Sequence, residues 1–190
     1  DSTWKAMAHP AYLSESAPPH PNWRLSEANI VFDARKDLPG WYRKSFNDSS
    51  WSTAKTICQG TCKPWGKLVK RPVPQWKDFG LKAYADVTIG DTVTTQLPYN
   101  ARITPFLKVD APAGKRIIMF TDQYKGGSAY NMRAEYITKA GIQEYESPGW
   151  INGHKVHYVI PEGVEVLDLR YRESGFSSEF TGQFSCNEDF

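Results

Sequence analysis

Glu144 and Glu146 are the nearest thing in this chain to a catalytic carboxylate pair. Residues two apart on a strand share a face, about 7 Å from each other, within the range of inverting glycoside hydrolysis. That chemistry needs groups on opposite sides of the bond, whereas two acids on one strand point the same way. The competing reading is a solvated strand face with Tyr145 turned to the core. His154 and His157 lie three apart, which on a strand puts them on opposite faces and denies them a shared metal ion. The chain holds no Gly-x-Ser-x-Gly turn, no phosphate-cradling Gly-x-x-x-x-Gly-Lys-Ser/Thr, and no Ser or Cys with an identifiable His partner. Asn47 and Asp48 could ligate a structural calcium, but with Ser49 they read better as a turn than as an ion site or a glycosylation sequon. No cofactor and no metal are expected.

The segment Lys63-Pro-Trp65-Gly-Lys67-Leu-Val-Lys70-Arg71, running on to Trp76 and Lys77, interleaves cations with aromatic rings. In a protein that binds single-stranded nucleic acid it would supply stacking platforms beside phosphate contacts. In a sugar-binding module the rings would stack on pyranose faces, with cations near uronate groups. Trp65, Trp76, Tyr99, Tyr124 and Trp150 are the candidate carbohydrate-binding residues. Burial of those rings against the protein, with the lysines kept in water, is the competing reading for each.

The elements that must position these residues are strands. With 14% aromatic residues, 13 Pro and 14 Gly in 190 residues, the apolar content sits in large rings and the chain is punctuated too often for long helices. Tyr130, Met132, Ala134 and Tyr136 alternate with Asn131, Arg133 and Glu135, the period of a half-buried strand. Further strands are expected over 29–33, 86–89, 92–97, 102–109, 116–121, 143–146, 154–160 and 164–171. Pro112-Ala-Gly114, Ser147-Pro-Gly149 and Pro161-Glu-Gly163 supply turns, the first of them hairpin-like. Residues 58–84 read as a long irregular loop, of the kind that carries function or lies on a neighbouring domain. The whole predicts an all-β, antiparallel, jelly-roll-like sandwich in a single domain over 23–190, preceded by an extended arm over 1–22 that Trp4 and Tyr12 anchor. Phe46 and Trp51 are expected to pack inward.

A net charge of +2 makes no general electrostatic case for nucleic acid, and no apolar run is long enough to span a bilayer. The start at Asp1 rather than Met reads as a processed chain. Three cysteines cannot all pair internally. Cys58 and Cys62 either close a small loop or remain thiols; Cys186 reads as a small buried residue.

Several stretches together resemble a known family. Phe46-Asn-Asp-Ser-Ser-Trp51 resembles a turn common in sandwich domains attached to bacterial glycoside hydrolases. Leu68-Val-Lys-Arg-Pro-Val-Pro74, Thr138-Lys-Ala-Gly-Ile-Gln-Glu-Tyr-Glu146, Gly149-Trp-Ile-Asn-Gly153 and Leu169-Arg-Tyr-Arg-Glu-Ser-Gly-Phe176 resemble the N-terminal, galactose-binding-like β-sandwich of bacterial α-L-rhamnosidases. The likeness runs from about Phe46 to the C-terminus and is strongest after Leu97. It implies a non-catalytic domain of an exported, periplasmic or extracellular enzyme, with the catalytic acids in an α/α-toroid of the same chain as its partner. The stretch 182–190 resembles the point where family chains leave the sandwich, so no catalytic residue carries over. Nor does any residue match the calcium-and-rhamnose site of some attached modules. Three roles are expected to compete: an accessory that packs on the toroid, an autonomous module for rhamnose- or uronate-containing glycans, and a self-sufficient hydrolase with two opposed carboxylates in a cleft.

Overall fold

The computed structural model describes residues 3–14, 29–58, 62–64, 66–123, 132–176 and 182–187. Twelve strands carry the fold: β1 (Lys5–Ala6), β2 (Tyr12–Leu13), β3 (Ile30–Asp33), β4 (Ser52–Thr53), β5 (Trp76–Ala83), β6 (Asp86–Thr88), β7 (Val93–Ala111), β8 (Arg116–Thr121), β9 (Arg133–Ile137), β10 (Gly141–Glu146), β11 (Ile151–Val159) and β12 (Glu165–Phe176). A 3-10 turn, Ala34–Lys36, follows β3, and the Asp33 carboxylate caps it through the Arg35 N–H. No helix among the described residues is long and apolar enough to cross a membrane.

The all-β sandwich is found, and β7 explains its shape. Its 19 residues serve both layers. The first half, Val93–Gln96, pairs with β11 on one side and β6 on the other; the second half pairs with β10 and β12. One layer therefore runs β2-β3-β9-β8-β11-β7-β6, the other β10-β7-β12-β5. The sequence shows two strands here, 92–97 and 102–109. They are one strand because three further residues, 98–100, swell out of its middle: between Gly153 and Lys155, two steps of β11 face five of β7.

Period-two alternation along β7 sends Val93, Leu97, Ile103, Leu107 and Val109 inward, where they meet Ile117 and Met119 of β8 and Val156 and Tyr158 of β11. Rings lock the layers together. Tyr145 of β10 stacks on Tyr136 of β9 with centroids 4.4 Å apart, and the hydroxyls of Tyr84 and Tyr158 meet at 2.6 Å. Burial pushes the Tyr84 and Tyr158 phenols well above their usual range, so both stay protonated and able to donate.

Four expectations are corrected. The 112–114 turn is not a hairpin: β7 and β8 are not partners, and the turn carries the chain from one layer to the other, with Gly114 at φ +84°. Not every pair is antiparallel, since β3 runs parallel to β9. β9 is buried on both faces rather than one, because Arg133 and Glu135 neutralise each other there at 2.6 Å and Arg116 closes on the same carboxylate. Finally, the irregular stretch 58–84 contains the eight-residue edge strand β5.

The turn at 47–51 forms as read: Asn47 Oδ1 accepts from the Ser49 N–H at 3.1 Å, and the Trp51 N–H reaches the Asp48 carbonyl at 2.9 Å. Phe46 and Trp51 do not enter the core; they are half-buried and pack on each other at 5.6 Å. Trp4 and Tyr12 are exposed, at 70% and 47%, while neighbouring β1 and β2 pair with β4 and β3.

Candidate functional site

Edge position makes β5 available. Among the described residues it pairs with β12 alone, so Trp76 at its start stands at the rim of the second layer, opposite Phe176 in the register. Arg102 projects from the outer face of β7, between the buried Ala101 and Ile103. Trp150 precedes β11, just after the Ser147-Pro-Gly149 turn. These three converge. The Arg102 guanidinium carbon lies 4.7 Å from the Trp76 ring centroid and 4.1 Å from that of Trp150, well inside cation–π range for both. Against the expectation of burial, Trp76 is 44% exposed and Arg102 is exposed, while Trp150 is half-buried. Beside the clamp, Arg71, Gln75 and Trp76 line a shallow hollow of about 470 Å3. The Arg71 Nε donates to the Val73 carbonyl at 3.0 Å, which fixes that side chain at the wall.

Tyr99 reaches the surface because it sits in the swelling of β7, where it is 53% exposed. Its hydroxyl donates to Glu173 of β12, which also takes the Lys82 ammonium at 2.6 Å. Burial works against charge on Glu173, but the hydrogen bonds from Lys82 and Tyr99 outweigh it and hold the carboxyl below its usual range.

On the same outer face Arg172 bridges two carboxylates, Glu146 through Nε at 2.7 Å and Asp78 through Nη1 at 2.6 Å. The Arg172 bond, then the Gly80 N–H, lower the Asp78 carboxyl. Thr104 also donates to Glu146, at 2.7 Å, and Glu144 pairs with Lys108 at 2.9 Å. The two acids singled out in the sequence thus lie on a strand face, already bound to cations, with Tyr145 turned inward beneath them.

Trp65 and Tyr124 lie outside the described residues. Of the five rings, the structure brings Trp76 and Trp150 together through Arg102 and leaves Tyr99 in the neighbouring Glu173–Lys82 cluster. Arg102 itself is absent from the sequence-level candidates, since nothing local to Asn-Ala-Arg-Ile marks it; its rings come from two distant segments.

His154 lies 3.8 Å from Asp122, while the His157 ring stacks on Phe120 and meets the Thr94 hydroxyl. The Asp48 carboxylate is held by Lys5 at 3.0 Å. Among the described residues no group of three His, Cys, Asp or Glu side chains gathers as a metal site. Cys58 and Cys62 are paired, and Cys186 is exposed rather than buried. A second aromatic hollow, about 370 Å3, lies among Met7, His9, Tyr12, Trp41 and Trp51, but His9 already faces Asp37 there at 3.6 Å.

No protein-family profile matches the sequence, and no curated protein does either. The structure superposes on part of the α-L-rhamnosidase from Dictyoglumus thermophilum, with 22% identity and a TM-score of 0.61, over 84% of this chain and 19% of that one. A GH78 family rhamnosidase of Bacillus sp. GL1 matches with 19% identity and a TM-score of 0.42, over 62% of this chain and 13% of that one. This chain spans about a fifth of the length of the Dictyoglumus enzyme. The resemblance read in the sequence is thereby met at the level of architecture: an all-β sandwich of the kind that makes up a minor part of a rhamnosidase chain.

Proposed function

We propose that this chain is a non-catalytic accessory sandwich of an exported bacterial α-L-rhamnosidase-like glycoside hydrolase, and that it packs against the catalytic toroid of the same parent. The observation that carries this reading is the superposition that uses most of this chain and only a fifth of the enzyme. The surface supports it. Ile57, Leu68, Val69, Val73 and Phe184 are each more than half exposed, apolar surface that a neighbouring domain could cover. The carboxylates support it too, because Glu144 and Glu146 are tied to Lys108 and Arg172 and face the same way. A hydrolase needs an acid and a base on opposite sides of the bond.

Carbohydrate binding is the second reading, favoured by the Trp76–Arg102–Trp150 cluster at the surface and the hollow beside it. Incubating the 190-residue chain with an aryl α-L-rhamnoside is expected to release no phenol. Turnover that survives purification and vanishes in Glu146→Gln would overturn the non-catalytic assignment.

A further inference from the structure

Arg102 has an unusual setting for a surface cation. Almost every other arginine on the outer face of the second layer is spent on an acid: Arg172 holds Glu146 and Asp78, and Arg170 meets Asp168 at 2.8 Å. Among the described residues no carboxylate and no carbonyl accepts a hydrogen bond from Arg102; its described contacts are the two indole rings. Indole centroids 4.7 and 4.1 Å from the guanidinium carbon pack the group between two rings, and they restrict its rotation without satisfying its N–H groups. What remains open, among the described residues, are its N–H donors, arranged in a fork that matches the two oxygens of a carboxylate. Much of the entropy of ordering a long side chain has thus been lost before any ligand arrives.

The surroundings select the kind of acid. Trp76 keeps exposed ring surface on which an apolar sugar face can stack. The adjoining hollow of about 470 Å3, walled by Arg71 and Gln75, has room for one pyranose and offers it hydrogen bonds and a second cation. We propose that the Trp76–Arg102–Trp150 clamp binds the carboxylate of a uronic acid residue in a glycan, whose ring or neighbour lies against Trp76. This deepens the carbohydrate-binding reading and rests on it. An acidic side chain from another protein segment would satisfy the guanidinium but would leave the ring surface and the hollow unused.

Calorimetry on the 190-residue chain with an oligogalacturonide tests it, with the carboxyl-reduced form of the same oligosaccharide and poly-glutamate as the other arms. The acidic sugar is expected to bind about tenfold or more tightly than either comparison, the scale of one charge-assisted bidentate contact. Arg102→Lys, which keeps the charge but loses the fork, and Trp76→Ala should each remove most of that preference, with unchanged melting temperatures showing that both variants fold. Equal binding of acidic and reduced sugars overturns the carboxylate assignment and leaves carbohydrate binding standing. Equal binding of poly-glutamate reduces the site to charge alone and overturns the sugar assignment. Binding of neither sugar sinks both.

Discussion

Arg133 and Glu135 are the residues at which local pattern and structure part most clearly. Both are almost fully buried, and the carboxylate takes Arg133 Nε at 2.6 Å while Arg116 approaches its other oxygen. Charges in a low-dielectric interior are tolerated only in such company. Removing the acid is therefore costly out of proportion to its size. Glu135→Gln is expected to destabilise the fold by about 3 kcal/mol or more in urea unfolding, because the Arg133 guanidinium stays buried after its carboxylate is gone. A loss below about 1 kcal/mol would mean that water reaches the pair. The alternation around Tyr136 was legible, but the second buried face was not, since charged side chains ordinarily mark the solvent side. Arg102 escaped for the opposite reason: an isolated cation on a strand reads as surface, and only folding brings Trp76 and Trp150 against it.

At the scale of elements, strands with one buried face were the ones the sequence revealed. β3, β8, β10, β11 and β12 fall close to their expected places because alternation and Gly or Pro punctuation agree there, and β6, exposed throughout, is found as expected without a buried face. β5 was missed because an edge strand with most of its residues exposed carries no inward-facing repeat, and Gly80, at φ +80°, breaks what alternation remains as one extra residue bulges against β12. Pairing order was less legible than strand identity. Tight turns suggested neighbours, whereas most of them pass the chain between layers. The irregularity in β11 shows how such a passage is held. Asp122 accepts from the N–H groups of His154 and Lys155 at 2.9 and 3.1 Å, and Gly153 lies so close that an added Cβ would sit 2.8 Å from Thr121 Cβ. Gly153→Ala is accordingly expected to cost about 1–3 kcal/mol, read as a lower urea midpoint at unchanged slope. An unchanged midpoint would show that the bulge relaxes freely.

For the molecule as a whole, the sandwich class and its likeness to a rhamnosidase segment were both within reach of the sequence, because they depend on strand density, aromatic content and a handful of turn-flanked stretches. The exposed apolar side chains Leu68, Val69 and Val73 were legible only through their stretch, 58–84, read as a loop that carries function or lies on a neighbouring domain. Their exposure is one of the observations on which the proposed docking rests. The ionic lattice of Arg172, Glu146 and Asp78 tells the same story in polar terms, since it stiffens the second layer without presenting a free acid or base.

The shared strand β7 carries a last consequence, for how the protein comes apart. Its backbone has partners on both sides over 94–96, at Ile103 and over 106–110, in both layers, so at those positions no single partner can peel away and expose it alone. Amide deuterium uptake at Ile103, Leu107 and Val109 should thus proceed only through global opening, at rates that follow the urea-derived stability. Uptake along β5, hinged on β12 alone, should be faster by orders of magnitude and nearly indifferent to denaturant. Matching rates in the two strands would mean that the rim and the spine open as one unit.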